Sequence, residues 1–362
     1  MRIAQIAPLI ESVPPRFYGG TERIVSYLTE ALIAQGHDVT LFASGDSMTE
    51  AELVSCIDQA VRLDRAVKDP VPYYMIMLDR VRQRAAEFDI LHFHSEQFHF
   101  PVFRPLADRT LTTLHGRQDV ADLKYLYDAF SQMPLVSISD AQRTPVPHAN
   151  FVRTIYHGLP LKLYKPVVRP CGGYLAFLGR IAAEKGVDRA IAIATACGLP
   201  LKIAAKVDTV DQAYFDSIIS PMLDRSSVEF VGEIDELSKN EFLGEASALL
   251  FPIDWPEPFG LVMIEAMACG TPILAFTGGS VPEIIDQGVT GFVISSMHEA
   301  PRALRRVIGL DRRRVRQRFE ERFSAERMAS DYVMVYKALL TRRRRQVASI
   351  SLPALRGDTL SK

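Results

Sequence analysis

An α/β architecture of two doubly wound halves, each a parallel sheet wrapped by helices and facing the other across a central cleft, is what this sequence predicts. Three observations predict it. The 362 residues exceed the size at which one core usually keeps growing, so two domains are the default. Short β-branched or aromatic runs alternate with helical patterns from end to end, the signature of parallel α/β units. These runs fall into two sets separated by LYKPVVRPCGG at 163–173, whose prolines and Gly pair read as a linker.

The first set is RIAQIA, VTLFAS, DILHFH, TLTTLH, LVSIS and FVRTIYH; the second is YLAFLG, LKIAAK, VEFVG, ALLFP, PILAF and GFVIS. The domains are therefore expected at 1–165 and 166–323, with a helix over about 324–345 that could pack back onto the first. That helix has Met328, Tyr332, Val335, Tyr336 and Leu339 on one face. Earlier in the chain, TERIVSYLTEALIAQG carries an apolar stripe of Ile24, Val25, Leu28, Ala31 and Leu32. Thr21 is its expected N-cap and Gly36 its C′ residue. In WPEPFGLVMIEAMACG (255–270), Pro258 and Gly270 bracket a helix over roughly 260–269. Glu257 then lies in the loop above the helix N-terminus, and Glu265 about one and a half turns inside.

Composition excludes several classes. A net charge of −1 gives no electrostatic case for nucleic acid. Cys56, Cys171, Cys197 and Cys269 lack disulfide-framework or metal spacing and read as free thiols in a reducing compartment. The opening apolar stretch is too short for a secretory signal, and no run reaches the roughly 18 apolar residues of a membrane span. A cytoplasmic protein is expected. Arg-rich stretches at 302–322 and 341–346 read as solvated helix faces, with peripheral contact to anionic lipid headgroups as the alternative.

In an open α/β sheet, ligands bind beyond the carboxyl ends of the strands. GRIAAEKG (179–186) follows a strand and places Arg180 and Lys185 in one loop, a pair suited to a diphosphate. Equally, these are surface cations paired with Glu184 and a neighbour. Gly19-Gly20 lies between the first strand and helix, where backbone can approach a ligand closely. No GxGxxG spacing occurs, which disfavours a nicotinamide enzyme. His92 and His94 share a strand face without an evident third metal ligand, so satisfied core or cleft histidines are expected. His115-Gly116 and His157-Gly158 end strands where cleft residues sit. Gly278-Gly279 precedes a helix expected to point its N-terminus at the same cleft. No Asp-x-Asp occurs in a suitable loop, so no metal and no separate cofactor is expected. The charge of any leaving diphosphate falls to Arg180, Lys185 and helix N-termini.

EPFGLVMIE, an E-x7-E pattern, together with the upstream GRIAAEKG and the following TGGSVPEII and GVTGFVI, resembles the retaining glycosyltransferase family four. The resemblance runs through most of the chain and implies the GT-B fold, two Rossmann-like domains around a cleft. It implies transfer of a sugar from a nucleotide-diphospho-sugar, most often a UDP-sugar, with retention of configuration. GDP- and ADP-sugars stay open as donors. By this resemblance Glu257 holds hydroxyls of the donor sugar, and the backbone amides of Phe259, Gly260 and Leu261 meet sugar and phosphate. Glu265 holds the ribose, and Arg180 and Lys185 bind the diphosphate. Val231 and Ile234 lie in the segment whose backbone reads the base, Gly19-Gly20 approaches phosphate and acceptor, and His115 sits near the reacting sugar. HGLP at His157–Pro160 departs from the Asn-Gly-x-Asp of many relatives. The acceptor (a sugar, a lipid-linked sugar or a small molecule) is left open. A sugar-nucleotide epimerase or hydrolase of the same fold, or a non-catalytic binding protein, is the alternative.

Overall fold

Two parallel sheets carry the chain in the computed structural model, which describes residues 1–16, 19–223 and 227–350, the side chains of residue 63 and of 346–350 aside. The first is seven-stranded: β1 (Arg2–Ile6), β2 (Asp38–Ser44), β3 (Glu52–Ile57), β4 (Ile90–Phe93), β5 (Thr110–Thr113), β6 (Leu135–Ser137) and β7 (Phe151–Thr154), in the order β3-β2-β1-β4-β5-β6-β7. The second comprises β8 (Leu175–Arg180), β9 (Leu201–Lys206), β10 (Val228–Gly232), β11 (Ala248–Phe251), β12 (Ile273–Phe276) and β13 (Gly291–Ile294), ordered β10-β9-β8-β11-β12-β13. All twelve runs read from the sequence are strands. β3 is the one the sequence reading lacks: it is an edge strand in which only Cys56 and Ile57 are buried, so ELVSCI has neither alternation nor a continuous apolar run.

Strand order reverses beside β1 in the first sheet and beside β8 in the second, which opens a crevice between β1 and β4 and another between β8 and β11. The loops leaving β1, β5, β8 and β11 line a shared cleft there. Phe17 and Tyr18, in the first of these loops, lie outside the described residues. Helix Gly20–Ala34 follows, capped by Gly19 without a side-chain hydrogen bond. Thr21 therefore sits in its first turn and is not the expected N-cap. Gly36 has the left-handed φ of 80° that ends such a helix.

The chain crosses between the halves twice. After β7 it passes into the second half, and at Ser324, bridged to Leu159, it turns back into helix Ala325–Ile350. That helix packs along helix Gly20–Ala34, and its Tyr332 and Tyr336 are buried to within 1% of full coverage. Further across the interface, Glu283 accepts hydrogen bonds from the backbone N–H groups of Asp140 (2.8 Å) and Ala141 (2.7 Å) and from the Tyr156 hydroxyl (3.0 Å).

The Arg-rich stretch at 302–322 divides: Arg302, Arg305, Arg306, Arg313 and Arg314 are exposed, as expected of solvated helix faces, whereas four other arginines turn toward the protein. Arg312, 8% exposed, donates to the carbonyls of Val167 (2.6 Å), Ala246 (2.9 Å) and Gly244 (2.6 Å) and to the Thr271 hydroxyl (2.6 Å). Arg316 donates to the carbonyls of Leu161 (2.7 Å), Tyr164 (2.9 Å) and Ala268 (2.6 Å). Arg318 and Arg322 both pair with Asp286. These guanidinium groups therefore fasten the linker and a helix end rather than facing water or lipid, because planar five-donor groups suit converging carbonyls. In the tail, Arg343 pairs with Asp108 of the first half at 2.9 Å. Among the described residues no helix is long and apolar enough to cross a membrane.

Arg312→Leu strands several buried acceptors at once and is expected to lower unfolding free energy by about 2–3 kcal/mol. Denaturant titration of the variant, showing a lower midpoint at unchanged slope, is the check.

Candidate functional site: a charged cleft between two sheets

A cleft of about 710 Å³ separates the two sheets at their crevices. Of the residues assigned to a ligand from the sequence, Gly19, Gly20, His115, Arg180, Lys185, Ile234, Glu257, Phe259, Gly260, Leu261 and Glu265 all line it. Val231 does not. It belongs to the edge strand β10, where the side chain is 36% exposed and the pairing with β9 shifts register between Phe230 and Gly232. The Gly278-Gly279 loop is also absent from the wall. Helix Val281–Ile284 is a single turn, and its loop buttresses Glu257: Ser280 N–H donates to the Glu257 carbonyl and Ser280 Oγ to the Phe259 carbonyl, both at 2.9 Å. A Cβ on Gly279 would stand 2.2 Å from the Glu257 carbonyl oxygen, so this support requires glycine.

Glu257 is 8% exposed, and its Oε2 accepts from Lys185 Nζ at 2.6 Å and from the Trp255 indole at 2.9 Å. The Lys185 ammonium also lies 4.3 Å from the centre of the Trp255 ring. Arg180 splits its guanidinium between Asp211 and Glu184, each at 2.7 Å. The pairing of Arg180 with Glu184 is thus real, yet both cations line the cleft.

Helix Leu261–Ala268 begins at this point with no side-chain cap, and Gly260, Leu261 and Val262 of its first turn line the cleft. Gly260 has φ 80° and a Cβ there would meet Met263 Cε at 2.7 Å. Glu265, on the fifth position of the helix, is 4% exposed and accepts from Lys239 Nζ at 2.9 Å and Tyr164 Oη at 3.4 Å. Burial pushes its carboxyl up, but the Lys239 and Arg23 charges outweigh that and hold it below the ordinary value. Arg23 reaches it from the first half and also pairs with Glu236, which joins the two halves beside Glu265.

Lys239, Trp255, Arg23 and Glu236 are not among the residues expected from the sequence. Trp255 was legible, being the chain's only tryptophan and two residues before Glu257. Lys239 and Arg23 were not, since their helices show no feature marking one charge among many.

His92 and His94, expected as satisfied core or cleft histidines, are so placed, whereas Nδ1 of His99 and of His157 is buried without a partner among the described residues. His92 Nε2 bonds Thr113 Oγ1 at 2.7 Å and Nδ1 bonds Tyr336 Oη at 2.8 Å; His99 Nε2 bonds Thr112 Oγ1 at 2.9 Å. His94 lies between Gln5 (2.7 Å) and His115 (2.9 Å), and His115 stacks on His157 at 5.3 Å between ring centres. Among the described residues no three His, Cys, Asp or Glu side chains gather as a metal site.

Two parallel-sheet α/β domains facing a cleft lined by two cations and two buried carboxylates match the architecture of GT-B glycosyltransferases. Comparisons place it more closely. The family model for glycosyl transferases group 1 matches residues 172–322, and that for Glycosyltransferase Family 4 matches residues 18–157. The chain belongs to the group 1/family 4 glycosyltransferases. Glycogen synthase of Mycobacterium tuberculosis is 25% identical over 90% of this chain and 92% of its own. Among solved structures, sucrose-phosphate synthase of Thermosynechococcus elongatus superposes with a TM-score of 0.76 at 19% identity, covering 94% of this chain and 99% of that one. HepE of Anabaena in complex with UDP-glucose gives 0.70 at 17% identity, over 93% and 100% of the two chains.

Burial holds His92, His94, His99 and His157 well below the ordinary histidine value of 6.5 and pushes His115 down to about 3. The unfolded chain takes up these protons near 6.5 while the folded one does not, so stability falls as pH drops below that point. Glu22 and Glu96, whose carboxyls burial pushes up, act with opposite sign over part of that window but are fewer. Melting temperature is expected to decline steadily from pH 6.5 to pH 5, each histidine contributing up to about 1.4 kcal/mol per pH unit. Thermal scans across that range are the check, and His99→Asn is expected to flatten the slope.

Proposed function

We propose that this glycosyltransferase moves a sugar from a UDP-sugar to a hydroxyl acceptor with retention at the anomeric carbon and without a metal ion. The observation that carries the reading is the convergence of Arg180, Lys185, Glu257 and Glu265 on one cleft at the end of one helix. Its spacing suits a sugar nucleotide lying across that end: sugar at Glu257, diphosphate at the cations and the helix amides, ribose at Glu265. HepE, structurally similar, is in complex with UDP-glucose, which favours uridine over other bases. Ile234 lines the cleft after β10, which supports reading of the base by that segment, whereas Val231 does not line it.

In this reading the bond from the anomeric carbon to the β-phosphate oxygen breaks on the face where the acceptor oxygen bonds. The acceptor's proton passes to that departing oxygen. Arg180, Lys185 and the helix amides stabilise the charge that develops on the diphosphate. Glu257, bound by Lys185 and Trp255, orients the sugar and is not a nucleophile.

Arg180→Ala is expected to weaken UDP binding by about 1.5–3 kcal/mol, the scale of a charge-assisted hydrogen bond. Calorimetry giving the wild-type affinity would reject the phosphate role. Glu257→Gln is expected to cut transfer from UDP-glucose by about a hundredfold, with UDP affinity retained. Activity is expected to survive EDTA; a complete loss that added magnesium restores would overturn the metal-free reading, and product of inverted configuration by NMR would overturn retention.

A further inference from the structure

A line of hydrogen bonds runs from the C-terminal helix through the first sheet to the cleft, and its direction is set by one amide. Gln5, on β1 and fully buried, donates through Nε2 to Tyr336 Oη at 3.3 Å, which turns its Oε1 toward His94 Nε2 at 2.7 Å. An amide oxygen only accepts, so His94 carries its proton on Nε2 and offers a bare Nδ1. That Nδ1 lies 2.9 Å from His115 Nε2, which must therefore be the donor. The other ring nitrogen of His115 has no hydrogen-bonding partner among the described residues, and the residue lines the cleft. Tyr336 Oη in turn donates to His92 Nδ1 at 2.8 Å, leaving its lone pairs for Gln5. Gln5, His92 and His94 are each fully or almost fully buried, so water does not compete for these bonds.

We propose that His94 and Gln5 are positioning residues for the transfer reaction: they fix His115 in the tautomer with its proton on Nε2, so that bare Nδ1 faces the cleft as an acceptor for a hydroxyl of the donor sugar. This rests on the reading of His115 as a residue beside that sugar. It makes His115 discriminate in one direction, since an acceptor nitrogen welcomes a sugar hydroxyl and repels a phosphate oxygen. Tyr336 supplies the far anchor, so the C-terminal helix contributes to a site it does not touch.

The test joins a tautomer measurement to a binding measurement on the full chain. Long-range proton–nitrogen correlation spectra with isotope-labelled histidine are expected to show wild-type His115 protonated at Nε2 alone. In His94→Phe the single tautomer is expected to be lost, and UDP-glucose affinity by calorimetry to fall about tenfold, one hydrogen bond's worth, while UDP affinity stays at the wild-type value. His94→Asn, whose side-chain oxygen replaces the Nδ1 acceptor, is expected to recover most of both effects. Should His94→Phe fail to fold, Tyr336→Phe loosens the same line from its far end and is expected to shift the tautomer in the same sense. Protonation of wild-type His115 at Nδ1, or an unaltered tautomer in a folded His94→Phe protein, would overturn the proposal. If the tautomers behave as expected but His115→Ala leaves UDP-glucose affinity intact, the positioning line stands and the placement of His115 beside the sugar fails.

Discussion

The 2.6 Å contact between Lys185 and Glu257 ties together the loops that leave β8 and β11, the strands flanking the crevice of the second sheet, and the cleft floor depends on it. A carboxylate withdrawn from water is costly unless a cation and hydrogen bonds replace its solvent. Here Lys185 and Trp255 do so for Glu257, while Lys239 and Tyr164 do so for Glu265. The two acids are thereby held in place by neighbouring protein groups. The cations are engaged too, so in the proposed function donor entry exchanges partners among groups already in position. Such preorganisation limits how much side-chain order a ligand has to impose.

Around that floor, the supports are backbone-directed. The Gly278-Gly279 loop presses on the Glu257 backbone at a distance only glycine permits, and Ser280 fastens it. Ser139, from the first half, donates to the Pro258 carbonyl at 2.7 Å, so the same loop is held from across the interface. Arg312 and Arg316 secure the linker at its carbonyls. Polar groups that would otherwise be stranded by the crossing chain are satisfied, and the two sheets meet at a defined spacing.

Much of this was legible in the residues. Parallel strands buried on both faces read as continuous apolar runs, which is why YLAFLG and PILAF stood out and the half-exposed ELVSCI did not. E-x7-E and GRIAAEKG marked the acidic and basic residues because they sit at strand ends, where the sheet dictates a cleft. Partners drawn from remote helices left no local trace. Nothing in ELSKN distinguishes Lys239, and nothing in the 302–322 stretch separates Arg312, turned inward among carbonyls, from its solvated neighbours. Charge identity is local, whereas what a charge faces is decided by topology. Val231 lies on the edge strand β10, where the register with β9 shifts between Phe230 and Gly232, and only Ile234 of its segment lines the cleft.

The return of the chain at Ser324 has a consequence for biogenesis. Tyr332 and Tyr336 complete the packing of the amino-terminal sheet, yet they leave the ribosome after every strand of both sheets. During synthesis the first half waits with an incomplete polar core while the second half forms. Consolidation of the first sheet thus depends on a helix that follows every strand of the second.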